Sequence, residues 1–235
     1  MKKIWIFLVK LFGWRLLLPE KGSRPEMERC VFVVAPHTSI FDFIIGATYL
    51  WSCCSNGKVF IKKEFFRWPL GPILRKVGAI SIDRGNRNND MIGTAVREFA
   101  KGKPLSIAIT PEATRKPVKR WKRGFWEIAH QAGVPIVPTY IDFKNKEIGA
   151  FATIWPSDDY EADLVKVRSL YKKEIAKHPE KFIELSWKRH SKLETSKGRV
   201  SRYPGYFFSN GYYWKYRYFW YCLLCEIYFL YHNCL

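Results

Sequence analysis

The sequence predicts an α/β fold: a largely parallel or mixed central sheet flanked by helices, preceded by an N-terminal interfacial helix. Three observations carry this expectation. Short aliphatic runs such as Val31 to Ala35 and Leu105 to Ile109 have the length of buried strands. They alternate with segments of helical length, such as Phe41 to Trp51 and Asn89 to Ala100. Proline, glycine or a charged turn punctuates the junctions between them.

Residues 1–18 begin with Lys2 and Lys3 and continue through Ile4, Trp5, Phe7, Leu8, Leu11, Phe12 and Trp14. The run is shorter than the roughly 20 apolar residues a membrane span needs, and Lys10 and Arg15 interrupt it. No small-residue cleavage site follows, which argues against a secretory signal. Lys3 and Lys10 share one helical face, and apolar residues occupy the rest of the circumference. That distribution suits a helix lying in a lipid interface. The competing reading is a helix packed on the protein's own core.

The next elements follow in order. Val31 to Ala35, stopped by Pro36, reads as a buried strand, and Phe41 to Trp51 as a helix. Lys58 to Ile61 is a short strand, Pro69 to Lys76 a helical turn or two ending before Gly78, and Ala79 to Ile82 a strand. Asn89 to Ala100 places Met91, Ala95 and Phe99 on one helical face, and Gly102 closes it. Leu105 to Ile109 is a strand that turns at Thr110-Pro111. Gly124 to Gln131 is a helix ending at Gly133. Ile136 to Phe143 and Ile148 to Ile154 form two strands of a hairpin. Asp159 to Lys177 reads as a polar helix, and Pro179 to Trp187 as a further one. The expected organisation is thus an interfacial helix over 1–18, a folded domain over 19–187, and a basic, then aromatic-rich extension over 188–235. That extension admits two readings, a second interfacial anchor or an unstructured or aberrant segment with no part in the domain's function, and the domain's completion near Trp187 favours the second.

Charge narrows the function. Lys and Arg number 40 against 21 Asp and Glu, a formal net charge of +19. Such an excess predicts an anionic partner: nucleic acid, an anionic membrane surface or a phosphorylated substrate. Aromatic residues make up 17% of the chain, with ten Trp, which fits a lipid headgroup layer; the competing reading is a cationic soluble protein with a large core. The six cysteines form no disulfide framework; Cys222-x-x-Cys225 has the spacing of half a zinc site without a second pair to complete it. A reducing, cytosol-facing setting follows.

Four segments carry chemistry. The first is Pro36-His37-Thr38-Ser39-Ile40-Phe41-Asp42, between a strand and a helix. Residues five apart on a regular helix point about 140° from each other, so His37 and Asp42 pair only if His37 lies in the turn before the helix. There Asp42 accepts from one imidazole nitrogen and leaves the other as a base. The competing reading is an N-capping cluster, with Thr38 or Ser39 as the cap. The second, Gly78 to Gly85, presents Arg84 at a strand's C-terminal edge, where a guanidinium grips phosphate bidentately; a surface Asp83–Arg84 turn is the alternative. The third is Thr110-Pro111-Glu112-Ala113-Thr114-Arg115, followed by Lys116, Lys119, Arg120, Lys122 and Arg123. It reads as a phosphate-seeking cluster, with a solvated basic loop or a nucleic-acid patch as alternatives. The fourth, Val134-Pro135-Ile136-Val137-Pro138, is a strand framed by prolines.

In order and spacing these four segments resemble the sequence blocks of the glycerolipid acyltransferases that carry an HxxxxD motif, of the 1-acyl-sn-glycerol-3-phosphate acyltransferase type. The second is close to G-x-I-x-x-D/x-R, and the third stands against F-P-E-G-T-R. The resemblance covers Val31 to Pro138 in motif and 1–187 in organisation. It implies acyl transfer from acyl-CoA or acyl-carrier protein to the hydroxyl of lysophosphatidate, giving phosphatidate, or to a related acceptor such as glycerol phosphate or an amino-acid lysolipid. It implies His37 as general base, Asp42 as its orienter, Arg84 and Arg115 as phosphate-binding residues, Glu112 as a positioning carboxylate and Thr114 as an assisting hydroxyl. No covalent acyl-enzyme, no metal and no cofactor is expected. Membrane lipids at an anionic surface are the expected partners, without nucleic acid, and the expected place is the cytoplasmic face of the cell membrane, peripheral or monotopic. The wholly different reading is a non-catalytic basic protein that binds membrane or nucleic acid. The chain departs from the family pattern at Ala113, where glycine is usual, at Thr110 in place of an aromatic, and at Pro36 in place of asparagine. If position 113 needs a positive φ, alanine is strained there; if it needs only a small residue, alanine is tolerated.

Overall fold

A computed structural model describes residues 2–20, 22–76, 78–82 and 90–184. Among them lie strands β1 (Arg15–Leu16), β2 (Arg29–Ala35), β3 (Gly57–Lys62), β4 (Ala79–Ile82), β5 (Leu105–Ile109), β6 (Ile136–Asp142) and β7 (Glu147–Ala150). The helices are α1 (Lys2–Leu11), α2 (Ile40–Cys53), α3 (Leu70–Lys76), α4 (Met91–Ala100), α5 (Gly124–Ala132) and α6 (Tyr160–Arg168). The strands form one sheet in the order β1-β7-β6-β2-β5-β3-β4. Every neighbouring pair is parallel except the β6–β7 hairpin. The expected α/β class, with a mixed central sheet and an N-terminal helix, is the observed one.

Burial on both faces explains why β2 is a continuous apolar run. Val31, Val33 and Ala35 face a core completed by Ala95 and Phe99 of α4, Phe125 and Ile128 of α5 and Val167 of α6. Cys30, Phe32 and Val34 face the opposite core, filled by Ile45, Tyr49 and Leu50 of α2. A strand covered on both sides has no polar face to alternate with. Parallel pairing of β2 with β5 and β6 then aligns their C-terminal ends on one edge.

Several boundaries shift by a residue or two, and three differ by more. The N-terminal helix stops at Leu11, not Leu18. Gly13 adopts φ +79, its amide donates to the Lys10 carbonyl at 2.9 Å, and the Trp14 amide donates to the Val9 carbonyl at 3.2 Å. This is a Schellman stop, which favours glycine. Released from the helix, Arg15 and Leu16 pair with Glu147 and Ile148, and an ion pair joins Arg15 to Glu147. The second difference is α6, which ends at Arg168 rather than Lys177, because Arg168 and Tyr171 turn into the interior. Beyond it, Pro179–Lys181 is one 3-10 turn rather than the start of a helix. The third is β7, which ends at Ala150; beyond it the Phe151 amide still donates to the Pro138 carbonyl at 2.8 Å, and Ile154 bridges Ile136. The extension over 188–235 lies outside the described residues.

α1 packs on α2, with Val9 buried. Phe7 and Leu11, one helical turn apart, remain 63% and 52% exposed, with Leu17 and Leu18 nearby in sequence and also exposed. Among the described residues no helix is long and apolar enough to cross a membrane.

Candidate active site

The site is assembled where β2 and β5 end. Past β2 the chain turns through Pro36 and His37, and α2 starts behind Ser39, whose extended backbone (φ −144, ψ 160) and side chain, accepting from the Phe41 amide at 3.0 Å, make it the N-cap. Asp42 is the third residue of the helix. Its Oδ2 accepts from the Thr38 amide at 2.6 Å and from the Ser39 amide at 2.7 Å. These amides at the positive end of a helix suit a carboxylate. The same oxygen lies 3.4 Å from His37 Nδ1. That is ion-pair range, off the line of a hydrogen bond, and among the described residues Nδ1 and Asp42 Oδ1 have no hydrogen-bond partner. Asp42 is 1% exposed and His37 17%. His37 therefore does lie in the turn before the helix, and the two readings of this segment coincide: the capping carboxylate is also the neighbour of the imidazole.

Glu112 arrives from the parallel neighbour. Val33 of β2 registers with Ile109 of β5, so the turns after both strands meet. Glu112 Oε2 accepts from the His37 backbone amide at 2.6 Å. The side chain is buried, and burial is the main reason its carboxyl is pushed up to about 8. The nearby Asp42 charge raises it further, while the His37 amide and the Arg168 guanidinium act the other way. A carboxyl in that range holds its proton at neutral pH and still accepts the amide bond.

The other expected residues are placed as follows. Ala113 adopts φ +56, the left-handed region that the glycine of the resembled motif would occupy without strain. Thr114 Oγ1 accepts from the Lys116 amide at 3.2 Å, a bond local to its own loop. Arg115 is exposed, as are Lys116, Lys119, Arg120, Lys122 and Arg123, whereas Trp121 between them is a core residue. Arg84 lies outside the described residues. The structure thus joins His37, Asp42 and Glu112 in one cluster and leaves Arg115 solvent-facing in the loop beyond it.

Residues the motif reading did not single out surround this cluster. Arg168 is buried with its guanidinium donating to the Lys119 and Ile183 carbonyls at 2.9 and 2.8 Å; burial lowers its basicity, and Glu112 opposes that shift. The Tyr171 hydroxyl donates to the Val33 carbonyl at 2.7 Å and accepts from the Thr139 amide at 3.1 Å, standing between β2 and β6. The His178 amide donates to Thr38 Oγ1 at 3.3 Å, and Lys177 Nζ lies 3.6 Å from the centre of the Phe41 ring. The one sequence signal for this stretch was His178-Pro179, which favours a break in the polar helix.

A buried carboxylate fixed by two amides beside an imidazole is an arrangement that can draw a proton from a hydroxyl. A family model described as Acyltransferase matches residues 20–142, more than half of the chain. No curated protein matches it. Among solved structures, the chain is similar to the crystal structure of the 1-acyl-sn-glycerophosphate (LPA) acyltransferase PlsC from Thermotoga maritima. The identity is 16%, over 74% of this chain and 76% of that chain, with a TM-score of 0.51. That likeness is one of fold.

Proposed function

Because this chain belongs to the acyltransferase family, we propose that it moves a fatty acyl group from acyl-CoA or acyl-carrier protein to the free hydroxyl of lysophosphatidate, giving phosphatidate. The observation that carries the proposal is the 3.4 Å approach of His37 Nδ1 to the amide-locked Asp42 carboxylate. With Nδ1 turned to Asp42, Nε2 is the basic nitrogen. It takes the proton of the acceptor hydroxyl as that oxygen attacks the thioester carbonyl carbon. A C–O bond forms and a tetrahedral oxyanion appears. Its collapse breaks the C–S bond, and the departing thiolate takes the proton back from the imidazolium. A positioned base of this kind contributes about 10²–10⁴-fold, and alignment of donor with hydroxyl supplies much of the remainder. Glu112 holds the backbone of His37, and Arg84 and Arg115 take the phosphate, with Thr114 assisting in the same loop.

The exposed Phe7, Leu11, Leu17 and Leu18 support a seat for the N-terminal region in an anionic lipid surface, peripheral or monotopic, where a lysolipid acceptor resides. Point substitutions test this better than removal of residues 1–18, which also deletes β1. Replacing Phe7 and Leu11 by Asp is expected to abolish most flotation with anionic liposomes; unchanged flotation rejects this seat.

The central test is acyl transfer by the full chain, with labelled acyl-CoA or acyl-carrier protein and a panel of lysolipids, beside His37→Ala. Phosphatidate from the wild type and at least a hundredfold less from the variant is the expected result. Full activity in His37→Ala removes the mechanism. Product only from glycerol phosphate or an amino-acid lysolipid changes the acceptor and keeps the chemistry.

A further inference from the structure

The stretch after α6 lies outside the four motif segments and outside the matched residues 20–142. It is nonetheless fixed against the site at two points. The Phe143 amide, just past β6, donates to the Ile175 carbonyl at 2.9 Å. The His178 amide donates to Thr38 Oγ1 at 3.3 Å, inside the turn that carries His37. Ala176 between these points is buried. Lys177 is therefore held by its neighbours on both sides, while its own side chain is exposed. Its ammonium rests over the Phe41 ring at 3.6 Å, with the Phe143 ring at 5.9 Å. Among the described residues no carboxylate forms an ion pair with it, and Asp42 is the acid whose charge it feels.

A lysine free of a carboxylate is ordinarily left to wave in solvent, where its charge is screened. Here the flanking rings remove part of that water and fix the cation beside the catalytic turn, which strengthens its attraction for an anion. The anions that arrive at this edge under the proposed reaction are phosphates, on the acceptor or on the donor. We propose that Lys177 binds a substrate phosphate at the mouth of the His37–Asp42 site, an inference that rests on the proposed acyl transfer for the identity of that substrate. Lysine grips phosphate as a point charge and does not need the bidentate geometry of arginine. Lys177 thus supplies a cation from the C-terminal part of the domain, beside the His178 contact to Thr38, to a cluster whose motif residues all precede 116.

The test compares Lys177→Met, which keeps the aliphatic stem over Phe41 and removes the charge, with Lys177→Arg, which keeps the charge. With full-length protein, Lys177→Met is expected to raise the KM for lysophosphatidate about tenfold, with little change in kcat. Its effect on a neutral monoacylglycerol acceptor is expected to be small, and Lys177→Arg to recover most of the loss. A tenfold rise confined to the KM for acyl-CoA also supports a phosphate site and assigns it to the donor. Unchanged KM for both substrates overturns the proposal. So does an equal fall in kcat on phosphorylated and neutral acceptors that arginine fails to rescue, since that is the signature of a structural role. Titration calorimetry with glycerol 3-phosphate separates the two levels of inference. Binding by the wild type that weakens about tenfold in Lys177→Met, in a protein that transfers no acyl group, would sink the proposed reaction and leave the phosphate site standing.

Discussion

Glu112 makes the stability of this fold depend on pH in a direction opposite to that of an ordinary surface carboxylate. Its ordinary value is 4.5, and burial lifts it to about 8 in the folded chain. Between those limits the unfolded chain has released the proton and the folded chain retains it. The folded state then binds more protons, so stability falls as pH rises through the window. Each pH unit costs about 1.4 kcal/mol, and the whole window about 3–5 kcal/mol. Glu112→Gln keeps a carbonyl oxygen for the His37 amide, which lies 2.6 Å from Oε2 in the wild type, and removes the titration. Denaturant unfolding of both proteins from pH 5 to pH 9 reads the difference directly. The two are expected to be close in stability near pH 5. The wild type is then expected to lose ground steadily until about pH 8 and to run parallel to the variant above it. Parallel curves across the whole range would refute the argument. A wild type that gained on the variant with rising pH would mean that Glu112 is an ionised partner of Arg168 instead.

Ala113→Gly is expected to stabilise the chain by up to about 1 kcal/mol, a rise of roughly 2–4 °C in Tm, because alanine at φ +56 carries a left-handed penalty that outweighs glycine's entropy; thermal unfolding monitored by circular dichroism checks it. Tyr171→Phe strands the Val33 carbonyl and the Thr139 amide between two strands, and is expected to cost about 2–3 kcal/mol in urea unfolding. Asp42→Asn and Ser39→Ala separate capping from orientation. Both are expected to lose about 1 kcal/mol in thermal unfolding, but only Asp42→Asn to lose about 10²-fold or more in acyl transfer. Equal activity losses in the two would assign Asp42 to the cap alone.

The parts of the fold legible in the sequence are those that local pattern determines. β2 and β5 stood out because strands buried on both faces are apolar without interruption. Gly13 and Gly133, both at positive φ, end their helices by a local rule; at Gly13 the apolar run continues past the stop to Leu18, so the pattern reads longer than α1. β1 was not legible, since two residues become a strand only when Glu147 and Ile148 offer an edge. The end of α6 was equally hidden. Its sequence is polar and helix-compatible past Arg168, but burial of Tyr171 between β2 and β6 outweighs propensity. In the site, His37, Asp42 and Glu112 could be named from their segments. Their meeting could not, because it follows from β2 and β5 being neighbours. Lys177 was invisible for the same reason, since Phe41 and Phe143, the rings that hold it, are remote in sequence.

The capping role of Asp42 ties the spacing of five residues from His37 to Asp42 to the start of the helix. A carboxylate at the third helical position reaches back to the amides of the cap and the residue before it, here Ser39 and Thr38. The residue one step further back, His37, is the first whose side chain rather than whose amide meets that oxygen. One residue fewer would put the imidazole at the cap's neighbour, where the amide already claims the carboxylate. One more would carry it back toward the strand, where side chains alternate between the two cores. The cap therefore fixes Asp42, 1% exposed, by giving its Oδ2 two amide donors. Glu112 completes this from the other side by holding the backbone of His37. His37 is thus located by its own amide and by the cap of Asp42, and the geometry of the pair is set by the helix start rather than by the imidazole.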